Sequence, residues 1–528
     1  MRNDLLMYPA YIDGKDVEHP EGRYVHTVTA RAVLEDTVPA LVLKRDLDAG
    51  LVDARSAGPA VAGGCALADD RMARHALESA ARAAPEWARV PLQDRVALGL
   101  RIGERLREKR DDLVDLLVAE GQPVDLAGPT LDEYWRADFS GRTLHWCASQ
   151  METTKPNGSG YATVRRVADG VVCVNPPQNA STPNALFGAS ALLAGNAVVV
   201  RAPRGVPLAT THALREVVIP VLEEAGAPAG VFNVLCGPPM TDLWLESPHV
   251  DDIVYVGGSA KGLEFERAAV AAGKKPVLEL AGNDCVVVWA DADLDAAARS
   301  ITENFRQSGQ ICNIPNHVIA HPAIADELLS RLVGIAAATR PGYPDEPGVV
   351  LTPVLMARAH FANIADALGR GGRLLHGGRR LEVDGTPSDT GFFLEPTVLR
   401  VDGLRTARET PAVREETFSP LLPVVVPDAA EAASDDALFD EVLRFVDGNA
   451  YGLRNSFWVR DERLVDRIAT EVTNGGVVNV NDSHSAFRPF LPTHGGTGLT
   501  GGVFGEANYL MLRTSHLQGV NVTRGGAR

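Results

Sequence analysis

From Gly170 onward, short runs of β-branched and other apolar residues alternate with stretches long enough for helices: GVVCV, ALFGASALLAG, NAVVVRA, PLATTHALREVVIPVLEEAG, GVFNVLC and DDIVYVGG, followed by KGLEFERAAVAAG. A strand that is apolar at every position is buried on both faces, and strands joined through helices run parallel. The pattern therefore predicts a parallel α/β sheet. A second series, PVLEL, DCVVVWA, the helix DLDAAARSITENFRQSG, the strand NHVIAH and the helix IADELLSRLVGIAAA, predicts another such unit directly after it.

Residues 69–120 carry apolar positions at three- and four-residue steps and read as a helical layer. Residues 20–65 mix β-type runs such as ALVLK with Gly and Pro and receive no firm assignment. SGYATVRRVADG, Ser159 to Gly170, and the tail from Asn508 alternate like β-structure outside either unit, as an arm or edge does. The acidic stretch Asp428 to Glu441 reads as a solvated helix or loop.

The 528 residues suffice for two to four domains with a sizeable core. With 51 basic and 68 acidic residues the net charge is −17, a balance that disfavours nucleic acid as a partner. No apolar run reaches the length of a membrane span, and MRNDLLMYPA lacks the layout of a secretory signal, so a cytoplasmic protein with no membrane partner is expected. The six cysteines are scattered without CxxC spacing, which argues against disulfides and against a metal site.

Several segments could do chemistry. Gly257, Gly258 and Gly262 in YVGGSAKG lie between a strand and a helix, where backbone amides can face a pyrophosphate; a ligand-free βα turn gives the same pattern. Arg201 and Arg204 end the strand in VVVRAPR, where a 2′-phosphate on an adenosine ribose would suit them, as would plain solvation. Glu279 in LELAGN stands within an apolar strand and must be paired, exposed at the strand end, or raised in pKa and so fit to act as a base. Cys312 in SGQICN follows a turn and is either a reachable nucleophile or a small core residue. Asn179 in NPPQNAST stands on a proline-fixed loop, where its carboxamide could donate to an oxyanion.

Taken in order, these segments resemble the aldehyde dehydrogenase family over about Gly170 to Gly501. The resemblance implies a Rossmann-like cofactor domain (residues 1–148 and 170–281), an α/β catalytic domain (282–502) and a small β oligomerisation arm with the tail (149–169 and 503–528). It implies Cys312 as nucleophile, Glu279 as base and Asn179 in the oxyanion hole. It implies cofactor contacts from Arg201, Arg204, Gly257, Gly258 and Gly262, from Glu395 in FFLEPTV on the nicotinamide ribose, and from Phe418 in EETFSP against the nicotinamide. Tyr134, Trp135 and Phe139 would border the substrate tunnel with Ile311, and His484 and Phe487 would stand near its mouth. These rings suit an aromatic or long apolar aldehyde, although such rings also serve as core.

The implied reaction is oxidation of an aldehyde to a carboxylic acid with hydride transfer to NAD(P)+, through a thiohemiacetal and a thioester on Cys312. The thiol would need its pKa lowered, and a cationic nicotinamide is the expected cause. Arg204 stands where NAD-preferring members carry Glu, so NADP+ is expected. Gln178 replaces the usual Trp, Ala281 a Gly and Gly258 a Ser. Members that pass the acyl group to coenzyme A tend to lack the Glu, so a free acid is expected, with acyl-CoA formation as the alternative. A cysteine hydrolase would instead pair Cys312 with His317 or His484. The family's β arm implies a homodimer or homotetramer.

Overall fold

The computed structural model describes residues 5–428, 432–504 and 508–524. Two seven-stranded sheets form its centre. In the first, Lys275–Glu279, Asp252–Val256, Val171–Asn175, Ala197–Pro203 and Phe232–Gly237 lie in that order, all parallel. Val171–Asn175 and Ala197–Pro203 are buried at every position, as the continuous apolar runs require. The hairpin of Ala10–Ile12 and Lys15–Val17 adds an antiparallel edge. Its two-residue turn, Asp13-Gly14, has φ of 54° and 73°, the left-handed pair that matches strand twist in a tight hairpin.

The chain runs from Val171–Asn175 outward through Ala197–Pro203 to Phe232–Gly237, then returns on the other side of Val171–Asn175 with Asp252–Val256. Such a reversal opens a crevice at the carboxyl ends of the strands. The segments after Asn175 and Val256 therefore face one cleft.

The second sheet orders Arg373–His376, Thr397–Asp402, Leu421–Val426, Pro315–Ala320, Asp284–Val288, Arg454–Trp458 and Val477–Val480. All are parallel except Arg373–His376. Glu279 closes the last strand of the first sheet and Asp284 opens the first strand of the second. The carboxyl end of one sheet thus meets the amino end of the other across the turn 280–283.

The helix Asp70–Trp87 is capped by Asp69, whose carboxylate accepts from Met72 N–H at 2.7 Å. It buries Met72, Ala73, Ala76, Leu77, Ala80, Ala83, Ala84 and Trp87, a stripe at helical spacing laid on the first sheet. Leu92–Glu108 and Arg110–Ala119 complete the helical layer.

Residues 24–66 differ from the β-type reading of ALVLK. Ala40 to Lys44 lie in the helix Thr37–Asp48, packed beside the strands Tyr24–Val28 and Val61–Ala66. A short apolar run carries no period of its own, so tertiary packing chose the helix. Glu152–Asn157, Gly160–Ala168 and Ser515–Val522 form a separate antiparallel sheet, largely exposed. Of the acidic stretch, Asp435–Asp447 is helix, while residues 429–431 lie outside the described residues. Among the described residues no helix is long and apolar enough to cross a membrane.

Candidate active site

The Cys312 loop is set by an unusual backbone. After the helix Leu294–Ile301 the chain kinks, and Gln307, Ser308 and Gly309 take φ of 48°, 52° and 75° in succession. Left-handed non-glycine residues are strained by about 1–3 kcal/mol each and persist only where the surroundings hold them. Here Ser308 Oγ donates to Thr352 C=O at 2.7 Å, Thr352 N–H donates back to Ser308 Oγ at 2.9 Å, and the Gln310 amide donates to Pro353 C=O at 2.9 Å. Gly309 is obligatory, because a Cβ there would lie 2.2 Å from the Ser419 carbonyl oxygen.

Three remote segments reach this loop. Asn179 Nδ2 donates to the Gln310 carbonyl at 3.0 Å. Gly282 lies against the Cys312 backbone, since a Cβ on it would stand 2.1 Å from the Cys312 carbonyl oxygen. The Ser419 contact brings in Phe418, itself left-handed at φ 47° and 37% exposed. Cys312 is half-buried, whereas the other five cysteines are fully buried.

Glu279 is 2% exposed and accepts from the Gly495 N–H, while its backbone carbonyl accepts from Gly257 N–H at 3.0 Å. Burial pushes its carboxyl well above the ordinary range; the Gly495 amide and Arg454 oppose this, and Asp284 adds to it. Glu416 accepts from Gly282 N–H at 3.1 Å and is pushed up to about 8, chiefly by burial. Cys312 is also pushed well above its usual value, first by burial, then by Glu279, Glu416 and Asp284. The protein's own groups thus favour the protonated thiol, and any lowering must come from a bound cation.

A cavity of about 440 Å³ opens beside the loop. Asn179, Ile311 and Asn313 line it, together with Tyr134 and Phe487, whose ring centroids are 4.8 Å apart. Its lining is mixed: Glu133, Arg306 and Ser485 stand among the apolar groups.

Other expected residues fall elsewhere. Arg201 is 5% exposed and bonds Asn175 Oδ1 and the carbonyls of Pro176 and Gly237 (3.2 Å each), tying strand ends together rather than offering a fork to phosphate. Arg204, one turn further, is exposed and makes no ion pair among the described residues. Gly262 N–H is taken by Gly258 C=O at 2.9 Å, and a Cβ there would strike Leu280 at 2.1 Å, so this glycine serves helix–strand packing. Gly258 is exposed, with nothing within 4 Å of a Cβ, at the amino end of the helix Ser259–Ala271.

Glu395 is not brought to the cluster. Its carboxylate is held by Arg379 at 2.6 and 2.8 Å, which keeps it below the usual range. Trp135 turns to the neighbouring helix, with Arg107 4.7 Å over its ring, and Phe139 is a core residue packed on Gly103. Both leave the tunnel because the helix Val124–Asp138 presents 125, 126, 129, 130, 133 and 134 to the cavity. His484 is fully buried between Ser456 Oγ (2.7 Å) and Asp284 (3.2 Å). Burial pushes it and His317 down to about 3, and neither bonds Cys312.

Glu416 and Arg454 were not singled out from sequence. A signal existed for each: Glu416 stands two residues before Phe418 in EETFSP, and Arg454 is a lone charge opening the strand RNSFW.

The aldehyde dehydrogenase family model matches residues 55–513. The chain is 29% identical to the 3,6-anhydro-alpha-L-galactose dehydrogenase of Vibrio sp. (strain EJY3) over 465 residues, 85% of this chain and 92% of that protein. It is 30% identical to the vanillin dehydrogenase of Corynebacterium glutamicum over 423 residues, 77% and 81% of the respective chains. The solved structure of 3,6-anhydro-L-galactose dehydrogenase superposes with a TM-score of 0.75 at 25% identity, covering 98% of this chain and 99% of that one. The chain belongs to the aldehyde dehydrogenase family, NAD(P)+-dependent enzymes that oxidise aldehydes to acids.

Proposed function

We propose that the chain oxidises its aldehyde through a thioester on Cys312 and releases a free carboxylic acid. The observation that carries this reading is the convergence on one half-buried thiol of Asn179, the Glu279–Gly282 turn and the Phe418 turn, which lie far apart in sequence.

The residues at the crevice suit a dinucleotide. Gly258 leaves open space before a helix amino end, where first-turn amides lack intrahelical acceptors. Arg204 is free to meet a 2′-phosphate, which favours NADP+. In this reading Glu416 would hold the nicotinamide ribose, since Arg379 occupies Glu395. When bound, NAD(P)+ supplies the hydride acceptor and a positive charge beside the thiol.

Sγ of Cys312 bonds to the aldehyde carbon, and the thiol proton leaves through Glu279 or solvent. The oxyanion so formed takes hydrogen bonds from Asn179 Nδ2, released from Gln310, and from the Cys312 N–H. Loss of hydride from that carbon leaves a thioester on Sγ. Glu279 then takes a proton from water as the water oxygen bonds to the acyl carbon. The C–S bond breaks, the acid departs, and Cys312 recovers its proton.

Glu279→Gln should give a burst of reduced cofactor followed by turnover at least 10²-fold slower, within the usual range for lost general-base catalysis. Unchanged steady-state turnover removes Glu279 from this role. Added coenzyme A should yield no acyl-CoA. The exposed arm sheet, with free edges at Glu152–Asn157 and Ser515–Val522, is the surface through which we expect a dimer or tetramer to form, and light scattering gives its mass.

A further inference from the structure

Arg454 opens the strand Arg454–Trp458 and is 1% exposed. No carboxylate lies within ion-pair distance of its guanidinium among the described residues. Instead Nη1 donates to the carbonyls of His484 and Ala486, and Nη2 to that of Thr493, all at 3.2 Å. The guanidinium carbon sits 4.5 Å over the Phe487 ring. A buried cation without a counter-ion is costly, by several kcal/mol even after relaxation, and three neutral carbonyls do not by themselves account for its presence.

The surroundings do. Carbonyls 484, 486 and 493 belong to one loop, which carries Phe487 in the cavity wall and runs on to Gly495, the amide that holds Glu279. Arg454 N–H also donates to Asp284 Oδ1 at 3.2 Å, and Asp284 Oδ2 meets His484 Nε2. The groups facing Glu279 are thus Cys312 on its loop, Asp284, Arg454, and Tyr134 from the helix Val124–Asp138. His484 and His494, both pushed down to about 3 by burial and then by Arg454, stay neutral. Arg454 is the cation of this group.

We propose that Arg454 is a positioning residue: its guanidinium anchors the loop that carries both Phe487 and the Gly495 amide, and supplies the positive charge against which the Glu279 carboxylate forms. This rests on Glu279 being the base that activates water. When that base loses its proton, a negative charge develops beside Asp284, and the Arg454 guanidinium together with the Gly495 amide offsets it. The aromatic wall is coupled to the same side chain, because the ring that Tyr134 packs on is the ring Arg454 covers.

The test is the pH dependence of deacylation, measured as steady-state turnover after the burst, in Arg454→Met, Arg454→Lys and Asp284→Asn. In Arg454→Met the acid limb should move up, by on the order of one pH unit, because a positive charge that favours the Glu279 carboxylate is lost. Its KM for the aldehyde should rise as Phe487 loosens. Arg454→Lys keeps the charge but not the three-carbonyl fork, so the limb should return towards wild type while KM stays raised. Asp284→Asn removes the carboxyl group that pushes Glu279 up, and its limb should move down. Opposite shifts in Arg454→Met and Asp284→Asn are not a product of general misfolding. Should Arg454→Met not fold, Arg454→Lys and Asp284→Asn carry the test. An unmoved limb in the charge-changing variants, or shifts of the same sign, overturns the inference while Glu279 keeps its role. Full turnover in Glu279→Gln overturns the base reading and this inference with it.

Discussion

Gly282 offers a test in which sterics alone set the size of the effect. A Cβ added there would lie 2.1 Å from the Cys312 carbonyl oxygen, 3.1 Å from Leu453 Cδ2 and 3.2 Å from Asp284 Oδ1. The tightest neighbour is backbone and has no rotamer to yield. Restoring ordinary contact near 3.4 Å requires the Cys312 peptide to retreat by about 1.3 Å, and a misplacement of about 1 Å between reacting groups costs on the order of 10²-fold. Gly282→Ala should therefore slow acylation by about 100-fold, equivalent to ~2.7 kcal/mol of barrier. Overpacking of about 1–3 kcal/mol should lower Tm by only a few degrees in a chain of this size. Rapid mixing of enzyme, aldehyde and cofactor reads the burst rate, and thermal unfolding reads the fold. A burst within threefold of wild type at unchanged Tm would show that the Glu279–Gly282 turn does not fix the thiol, and the site geometry argued above would fail.

Gly258→Ala makes the contrasting case: φ is −68° and a Cβ meets nothing, so Tm should hold within about a degree. A fall of several degrees would show that the space beside Gly258 is not open. Arg204→Glu should lower kcat/KM for NADP+ by about 10- to 100-fold, the worth of a charge-assisted hydrogen bond, and leave NAD+ little changed; equal effects on both cofactors would refute a 2′-phosphate contact. Burial pushes Asp138 up to about 7, with only the Thr493 hydroxyl opposing it. Because its folded value exceeds the unfolded one, the folded state binds the extra proton between about pH 4 and 7, and stability is lost as pH rises through that window. Asp138→Asn should remove this slope, worth at most on the order of 4 kcal/mol, so the Tm gap between wild type and variant should change sign or shrink from pH 5 to pH 8. Parallel Tm curves would refute it.

The α/β architecture was legible in the chain because a strand buried on both faces must be apolar throughout, and Val171–Asn175 and Ala197–Pro203 are written that way. The segments bearing Asn179, Glu279 and Cys312 could be found because, taken in order, they resemble the aldehyde dehydrogenase motifs; read singly, each left a structural alternative open. Other features have no local signature. ALVLK is helical because of what it packs against. Trp135 and Phe139 face the core because one helix rotates them away from the cavity, a fact of packing rather than spacing. Arg201 and Arg204 are alike in sequence, yet one is enclosed by three strand-end acceptors and the other is left to solvent. Side-chain identity and periodicity set which elements form and which groups could react. The meeting of one sheet's carboxyl ends with the other's amino ends decided which carboxylates stand near the thiol, and how far burial moves them, because desolvation depends on every neighbour at once.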